Sequence, residues 1–109
     1  MATSNVLSFL GLATKAGKVV SGDRASRIYI NKGKAHLIII ADDAVDRTLK
    51  EFTYLSEQYN ISIRSYGNKE ALGQIIGKKN RAVIIVKDKS FANRLIEMID
   101  CEIGGKMNG

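Results

Sequence analysis

The sequence predicts an α/β protein: a single-domain three-layer α-β-α sandwich, with a four-stranded mixed sheet covered by helices on both faces. Three observations predict it. Segments with helical spacing alternate with short strand-like runs along the whole chain. Two of those runs, Leu37 to Ala41 and Ala82 to Val86, are apolar at consecutive positions, which marks strands covered on both sides. At 109 residues and 45% hydrophobic content, the chain is the size of one domain with one sizeable core.

The elements follow in order. Residues 4–16 read as a helix, because Ser4 or Asn5 can cap it and Val6, Leu7, Leu10 and Ala13 recur at helical spacing. Gly17 stops it, and Lys18-Val19-Val20 makes a short strand. The stretch "SGDRASRI", residues 21–28, opens a second helix over about 22–32. Ala25, Ile28 and Tyr29 sit at i, i+3 and i+4 there and are expected to face the core. Gly33 takes the usual glycine position past its end. His36 to Ala41 is a buried strand. Asp42 and Asp43 precede a helix of about 45–59 and are expected to cap its free amides. Its buried stripe is expected at Val45, Leu49, Phe52, Leu55 and Tyr59. Ile61 and Ile63 alternate with polar residues over a strand at 61–66. Asn68 caps a short helix at 69–76, which Gly77 ends. Ala82 to Val86 is the last strand. Asp88 or Ser90 caps a final helix to about Asp100, anchored by Phe91, Leu95, Met98 and Ile99. Residues 1–100 thus form the domain, and 101–109 are expected to be a flexible tail.

Charge narrows the function classes. The net charge is +6 and unevenly spread. Residues 1–41 carry six Lys/Arg and one acid, 42–63 two and five, 64–94 eight and two, and 95–109 one and three. Two basic blocks separated by an acidic one make a charged face, and such a face draws polyanions. Cys101 is the single cysteine, so no internal disulfide forms, as suits a reducing compartment. No apolar run approaches the roughly 20 residues of a membrane span. Val6 to Ala13 lacks the preceding positive charge of a signal peptide. The expectation is a cytoplasmic monomer with no membrane partner.

Enzymatic signals are weak. "IIIADDA", residues 38–44, ends a buried strand in two carboxylates, which could hold Mg²⁺ for phosphate chemistry with Lys87 nearby. A third acid ending the intermediate strand is missing, since Tyr66-Gly67 stands there. One cysteine and one histidine make no Cys/His metal set. His36 reads as structural rather than as a general base. "GKKNR" lacks the first glycine and the Ser/Thr of a phosphate-binding loop. The chain is therefore read as a non-enzyme without metal or cofactor.

Binding signals are stronger. On a helix, Arg24, Arg27 and Asn31 fall at i, i+3 and i+7 and form one polar ridge. Gly22 allows close approach of a ligand, and the free amides beside it favour anions. Arginine's planar fork suits phosphate or a guanine edge. Lys15 and Lys18 lie just upstream, and "GKKNR" places Lys78, Lys79 and Arg81 in a turn before a buried strand. Tyr29, Tyr54, Tyr59, Tyr66 and the three phenylalanines show no spaced stacking platform, which argues against a base-stacking sheet.

"VVSGDRASRIYINKGKAHLIIIADDA" and "ALGQIIGKKNRAVIIV" together resemble the kink-turn-binding ribosomal proteins, the L-seven-Ae and L-thirty-e superfamily, and its small bacterial members in particular. The resemblance covers nearly the whole chain. It implies an α-β-α sandwich that binds structured RNA, ribosomal RNA included, at a sharp bend flanked by sheared G·A pairs. The family's second helix carries Gly, any residue, Asn, Glu, two residues, Lys. Gly22 takes the glycine position, whereas Arg24, Ala25 and Ile28 stand where the family has Asn, Glu and Lys. The family's apolar loop before the last strand is "KKNR" here. The resemblance brings that loop beside the start of the second helix, which would merge Arg24 and Arg27 with Lys78, Lys79 and Arg81. The resulting expectation is ribosome-associated RNA binding mainly by phosphate and shape, with Lys15 and Lys18 steering. The alternatives are a protein–protein interaction module and a small Mg²⁺-dependent phosphate-handling domain at Asp42 and Asp43.

Overall fold

The computed structural model describes residues 4–108, with side chains through Glu102. Its elements run α1 (Asn5–Lys15), β1 (Val19–Ser21), α2 (Asp23–Asn31), β2 (Leu37–Ile40), α3 (Asp46–Tyr59), β3 (Ser62–Ser65), α4 (Lys69–Ile75), β4 (Val83–Val86) and α5 (Lys89–Asn108). The four strands form one sheet in the order β1-β4-β2-β3. β4 is antiparallel to both β1 and β2, while β2 and β3 are parallel. The sheet is mixed and four-stranded, as the sequence predicts.

The two consecutive apolar runs explain the layers. In β2, Leu37 and Ile39 join one core while Ile38 and Ile40 join the other. In β4, Ile84 and Val86 face the first side, and Val83 and Ile85 the second. Successive side chains of a strand point to opposite faces, so both faces must be covered. Val6 and Leu10 of α1, Leu72 of α4, and Leu95 and Ile99 of α5 cover the first face. Ile30 of α2 and Phe52 of α3 cover the second.

The helix ends match the expected chemistry at three places. Ser4 Oγ accepts from the Leu7 amide at 3.1 Å, Asn68 Oδ1 from Ala71 at 2.7 Å, and Asp88 Oδ2 from Phe91 at 2.9 Å. The expected cap of α3 is not made. Val45 is its N-cap, without a side-chain hydrogen bond. Asp42 instead accepts from the Ser65 hydroxyl at 2.7 Å, and Asp43 from the Lys69 amide at 2.8 Å. The reason is topological. β2 and β3 are parallel, so Asp42 and Asp43 emerge beside the end of β3 and the start of α4.

Two expected stripes are rotated. On α2 the buried residues are Ser26 and Ile30, Ala25 and Tyr29 are half-buried, and Ile28 is 41% exposed. On α3 the buried residues are Thr48, Phe52 and Ser56, Leu55 is half-buried, and Val45, Leu49 and Tyr59 are exposed. Small hydroxyl side chains occupy the packed side of both helices. A reading that counts only apolar residues sets the wrong phase when the closest approach is filled by Ser or Thr.

The last helix runs beyond Asp100, through Asn108, so residues 101–108 of the expected flexible tail are helical; Gly109 lies outside the described residues. Two contacts tie this helix to the sheet side at Asp100 and Glu102. Arg64 on β3 grips Asp100 through Nε at 2.7 Å and Nη2 at 3.0 Å. The Tyr66 hydroxyl donates to Glu102 at 2.7 Å and lies 3.0 Å from Ser4 Oγ. Burial, with the Glu102 hydrogen bond second, pushes the Tyr66 phenol above the ordinary tyrosine range. A raised folded-state value means that the neutral phenol is favoured by folding. That stability is complete below the ordinary tyrosine value and is lost as pH rises through the folded value.

Two outcomes follow for urea unfolding. Phe52→Ala lowers stability by about 3–5 kcal/mol, because Phe52 is the largest fully buried side chain. Tyr66→Phe lowers stability at neutral pH and shows a shallower loss above about pH 10 than the parent chain, read as the midpoint at a series of pH values.

Candidate nucleic-acid interface

The strand directions sort the loops into two ends. β1, β2 and β3 run one way and β4 the other. The start of α2, the Asp42-Asp43 turn, the start of α4 and the turn before β4 therefore share one end of the sheet. Backbone hydrogen bonds join them. The Gly22 amide donates to Val83 O at 3.0 Å, Ala41 to Ala82 O at 2.9 Å, and Arg81 to Lys69 O at 3.0 Å.

Arg81 ties the turn before β4 to α2. Its Nε donates to Ser21 Oγ at 3.1 Å, and Nη1 donates to Asn80 O at 3.0 Å. "KKNR" is thereby held against the residue that precedes Gly22. Gly22 has φ 93° and ψ 154°, a conformation open essentially to glycine alone, and a Cβ there would meet open space. The amides of Asp23, Arg24 and Ala25 follow with no side-chain cap. Arg24 is exposed on this first turn.

The turn carrying the lysines is positioned by Gly73. A Cβ at Gly73 would overlap the Lys79 carbonyl. The 77–80 turn thus lies directly on the backbone of α4, and the Lys78 amide donates to Gly73 O at 2.8 Å. Lys78 and Lys79 are exposed and line a shallow depression with Glu70, Gln74 and Asn80. A glycine inside a helical pattern is the signal from which this packing could have been read.

The expected ridge divides. Arg27 Nη1 donates to Glu51 of α3 at 3.0 Å. Asn31 accepts from the Tyr59 hydroxyl at 2.8 Å. Both side chains lie along the α2–α3 seam. The Arg27–Glu51 pair is 41% and 38% exposed, so it contributes only about 0–1 kcal/mol. It nevertheless removes one net charge from the ridge. Lys18 lies at the other end of the sheet, where its carbonyl accepts from the Lys87 amide at 2.8 Å. Lys15, on the last turn of α1, precedes that same end. The arrangement therefore sets Arg81 against Ser21, puts Arg24 and the turn carrying Lys78 and Lys79 at the same end of the sheet, places Arg27 and Asn31 beside α3, and separates Lys15 and Lys18 from that end.

A model of the ribosomal protein L7Ae/L30e/S12e/Gadd45 family matches residues 4–96. The chain belongs to this family. The match spans both halves of the cationic end, from α1 into α5. The RNA-binding protein YlxQ of Bacillus subtilis (strain 168) is 37% identical over 91 residues, 84% of this chain and 91% of the relative. The protein of the same name from Enterococcus faecium is 30% identical over 94 residues, 86% of this chain and 90% of the relative. A solved structure of a protein with unknown function from Bacillus halodurans C superposes with a TM-score of 0.87 at 35% identity, covering 90% of this chain and 99% of the other. The L7Ae-family fold of this chain thus has the described sandwich, and its α2 start and α4–β4 turn meet as the resemblance implied.

Asp42 and Asp43 are held by Ser65 and Lys69, and no group of three or more His, Cys, Asp or Glu among the described residues could hold a metal ion. No described helix is long and apolar enough to cross a membrane.

Gly73→Ala should displace the 77–80 turn. The expected outcome is a loss of about 1–3 kcal/mol in stability, with amide shifts in NMR concentrated at 77–81 and 21–22. Asp43→Ala removes a bond at the first turn of α4 and should cost about 0.5–2 kcal/mol, read by the same unfolding assay.

Proposed function

We propose that this chain binds structured RNA, without catalysis, at the end of the sheet formed by the α2 start and the α4–β4 turn. The observation that carries the reading is the Arg81–Ser21 link. It fastens the turn that carries Lys78, Lys79 and Arg81 to the residue before Gly22, at the end of the sheet where Arg24 and the uncapped α2 amides lie. A helix N-terminus with cations around it favours phosphate oxygens. The names of the YlxQ relatives support RNA as the polyanion. The ribosomal membership of the family supports a ribosome-associated target, and a cytoplasmic monomer accords with that role.

The residues at the α2 face decide how the RNA is read. Arg24 and Ile28 are the exposed pair one helical turn apart, at the positions where the resemblance implies Asn and Lys. Ala25, in place of Glu, has no carboxylate to accept from guanine. A bidentate base contact is worth roughly 1–3 kcal/mol of discrimination, so base selection is weakened here. The added cations raise affinity through phosphates, independently of sequence and sensitive to salt. Sharply bent RNA flanked by sheared G·A pairs fits this surface by its shape and by the phosphates crowded at the bend.

The test is fluorescence anisotropy with a bent hairpin bearing sheared G·A pairs and a straight duplex of equal length. The hairpin should bind more tightly, and affinity should fall steeply between low and moderate salt. Arg24→Ala with Lys78→Ala and Lys79→Ala should weaken hairpin binding at least tenfold, about 1.4 kcal/mol. Arg27→Ala should do far less, because that guanidinium is paired with Glu51. Salt-independent affinity, or a triple variant that binds like the parent, would sink the proposal.

A further inference from the structure

The opposite end of the sheet carries a second concave cationic surface. Lys18 precedes β1, Lys34 and His36 precede β2, and Lys87 follows β4, so the strand directions bring all four to this end. They line one depression together with Gly17, Tyr29, Gly33 and Asp88, whose carboxylate accepts from the Phe91 amide at 2.9 Å. The Lys87 ammonium lies 5.2 Å over the Tyr29 ring, which holds it at the rim. Among the described residues, Lys18, Lys34 and Lys87 have no carboxylate within 4.0 Å.

Hydrogen bonding to the helix-end carbonyls does not account for these lysines. α1 and α2 both finish here, and helix C-termini attract cations. Three carbonyls in the last turn of each helix are already engaged by backbone amides. Lys18 N–H donates to Ala13 O at 2.9 Å, and Gly17 N–H to Thr14 O at 3.0 Å. Lys34 N–H donates to Tyr29 O and Gly33 N–H to Ile30 O, each at 3.0 Å. The floor amides are engaged as well, His36 with Val86 O and Lys87 with Lys18 O. Recognition is left to the ammonium groups, which act as compact point charges suited to phosphate rather than to a planar base edge. Gly17 and Gly33 leave open space where a side chain would stand, so a sugar–phosphate strand can approach closely.

We propose that this depression is a second phosphate-contact surface, so that the protein holds one RNA at both ends of its sheet. The proposal rests on the RNA reading above. Lys18 and Gly22 are four residue steps apart along extended chain, about 13 Å, which exceeds the reach of one phosphate. The near end takes the bend, and this far end takes phosphates of a flanking stem.

The experiment titrates the full ¹⁵N-labelled chain with a bent hairpin whose flanking stem is a plain A-form duplex. Amides of 17–18, 33–36 and 87–88 should shift together with those of 22–25 and 78–81. In a Lys18→Gln, Lys34→Gln, Lys87→Gln triple variant, the first set should stay still while the second still moves. Affinity should fall about tenfold, and the slope of log affinity against log salt should shrink by roughly 2–3. Movement confined to 22–25 and 78–81 in the parent chain overturns this inference and leaves the RNA reading standing. A folded triple variant with unchanged affinity overturns it too. Stillness at both ends overturns both readings.

Discussion

Val83–Val86 lies between β1 and β2, antiparallel to both, with all four residues buried. The placement of this strand decides what the rest of the molecule can do. Its two faces feed two separate cores, one under α1, α4 and α5 and one under α2 and α3. Its direction decides which loops become neighbours. Because β4 enters where β1 leaves, the turn before it meets the first turn of α2. Because β4 leaves where β1 enters, Lys87 meets Lys18. Both cationic surfaces follow from this one reversal.

The near surface depends on a short chain of contacts. Gly73 lets the 77–80 turn lie on α4, Arg81 fastens that turn to Ser21, and Gly22 bends the chain into α2 with its first amides outward. Each contact is modest, but together they hold cations, amides and open space in one geometry. Preorganisation of this kind matters more for a polyanion site than the strength of any single bond, since phosphate recognition is set by where positive charge is held. In the proposed RNA reading, the substitutions relative to the family's pattern on α2 shift the balance from reading bases toward reading backbone. Asp42 and Asp43 share this end of the sheet, each with one carboxylate oxygen engaged, by Ser65 and by the first amide of α4.

Element order and type were legible because each rests on local rules. Ser4, Asn68 and Asp88 cap the helices that their positions indicate, and consecutive apolar runs mark the two buried strands. The glycine at 22 was legible as well, and its φ of 93° gives the physical reason. Helix phase was harder to read. Ser26, Thr48 and Ser56 fill the packed sides of α2 and α3, and hydroxyl residues carry no hydropathy signal for burial. Arg27 looked equivalent to Arg24 because both share a helix face with solvent in one dimension. Glu51, 24 residues away, made them different.

By itself, then, the sequence determined the sandwich, the number and order of its elements and the chemical character of its surface. Backbone propensity, capping and hydrophobic period are short-range quantities, and they survive in a linear string. Only the tertiary structure decided which cations stand together. The turn bearing Lys78 and Lys79 came to the same end of the sheet as Arg24, and Arg81 fastens it to Ser21. Lys18 joined Lys34 and Lys87 because β4 runs against its neighbours. Electrostatic fields depend on distances in space, and strand order and direction set those distances.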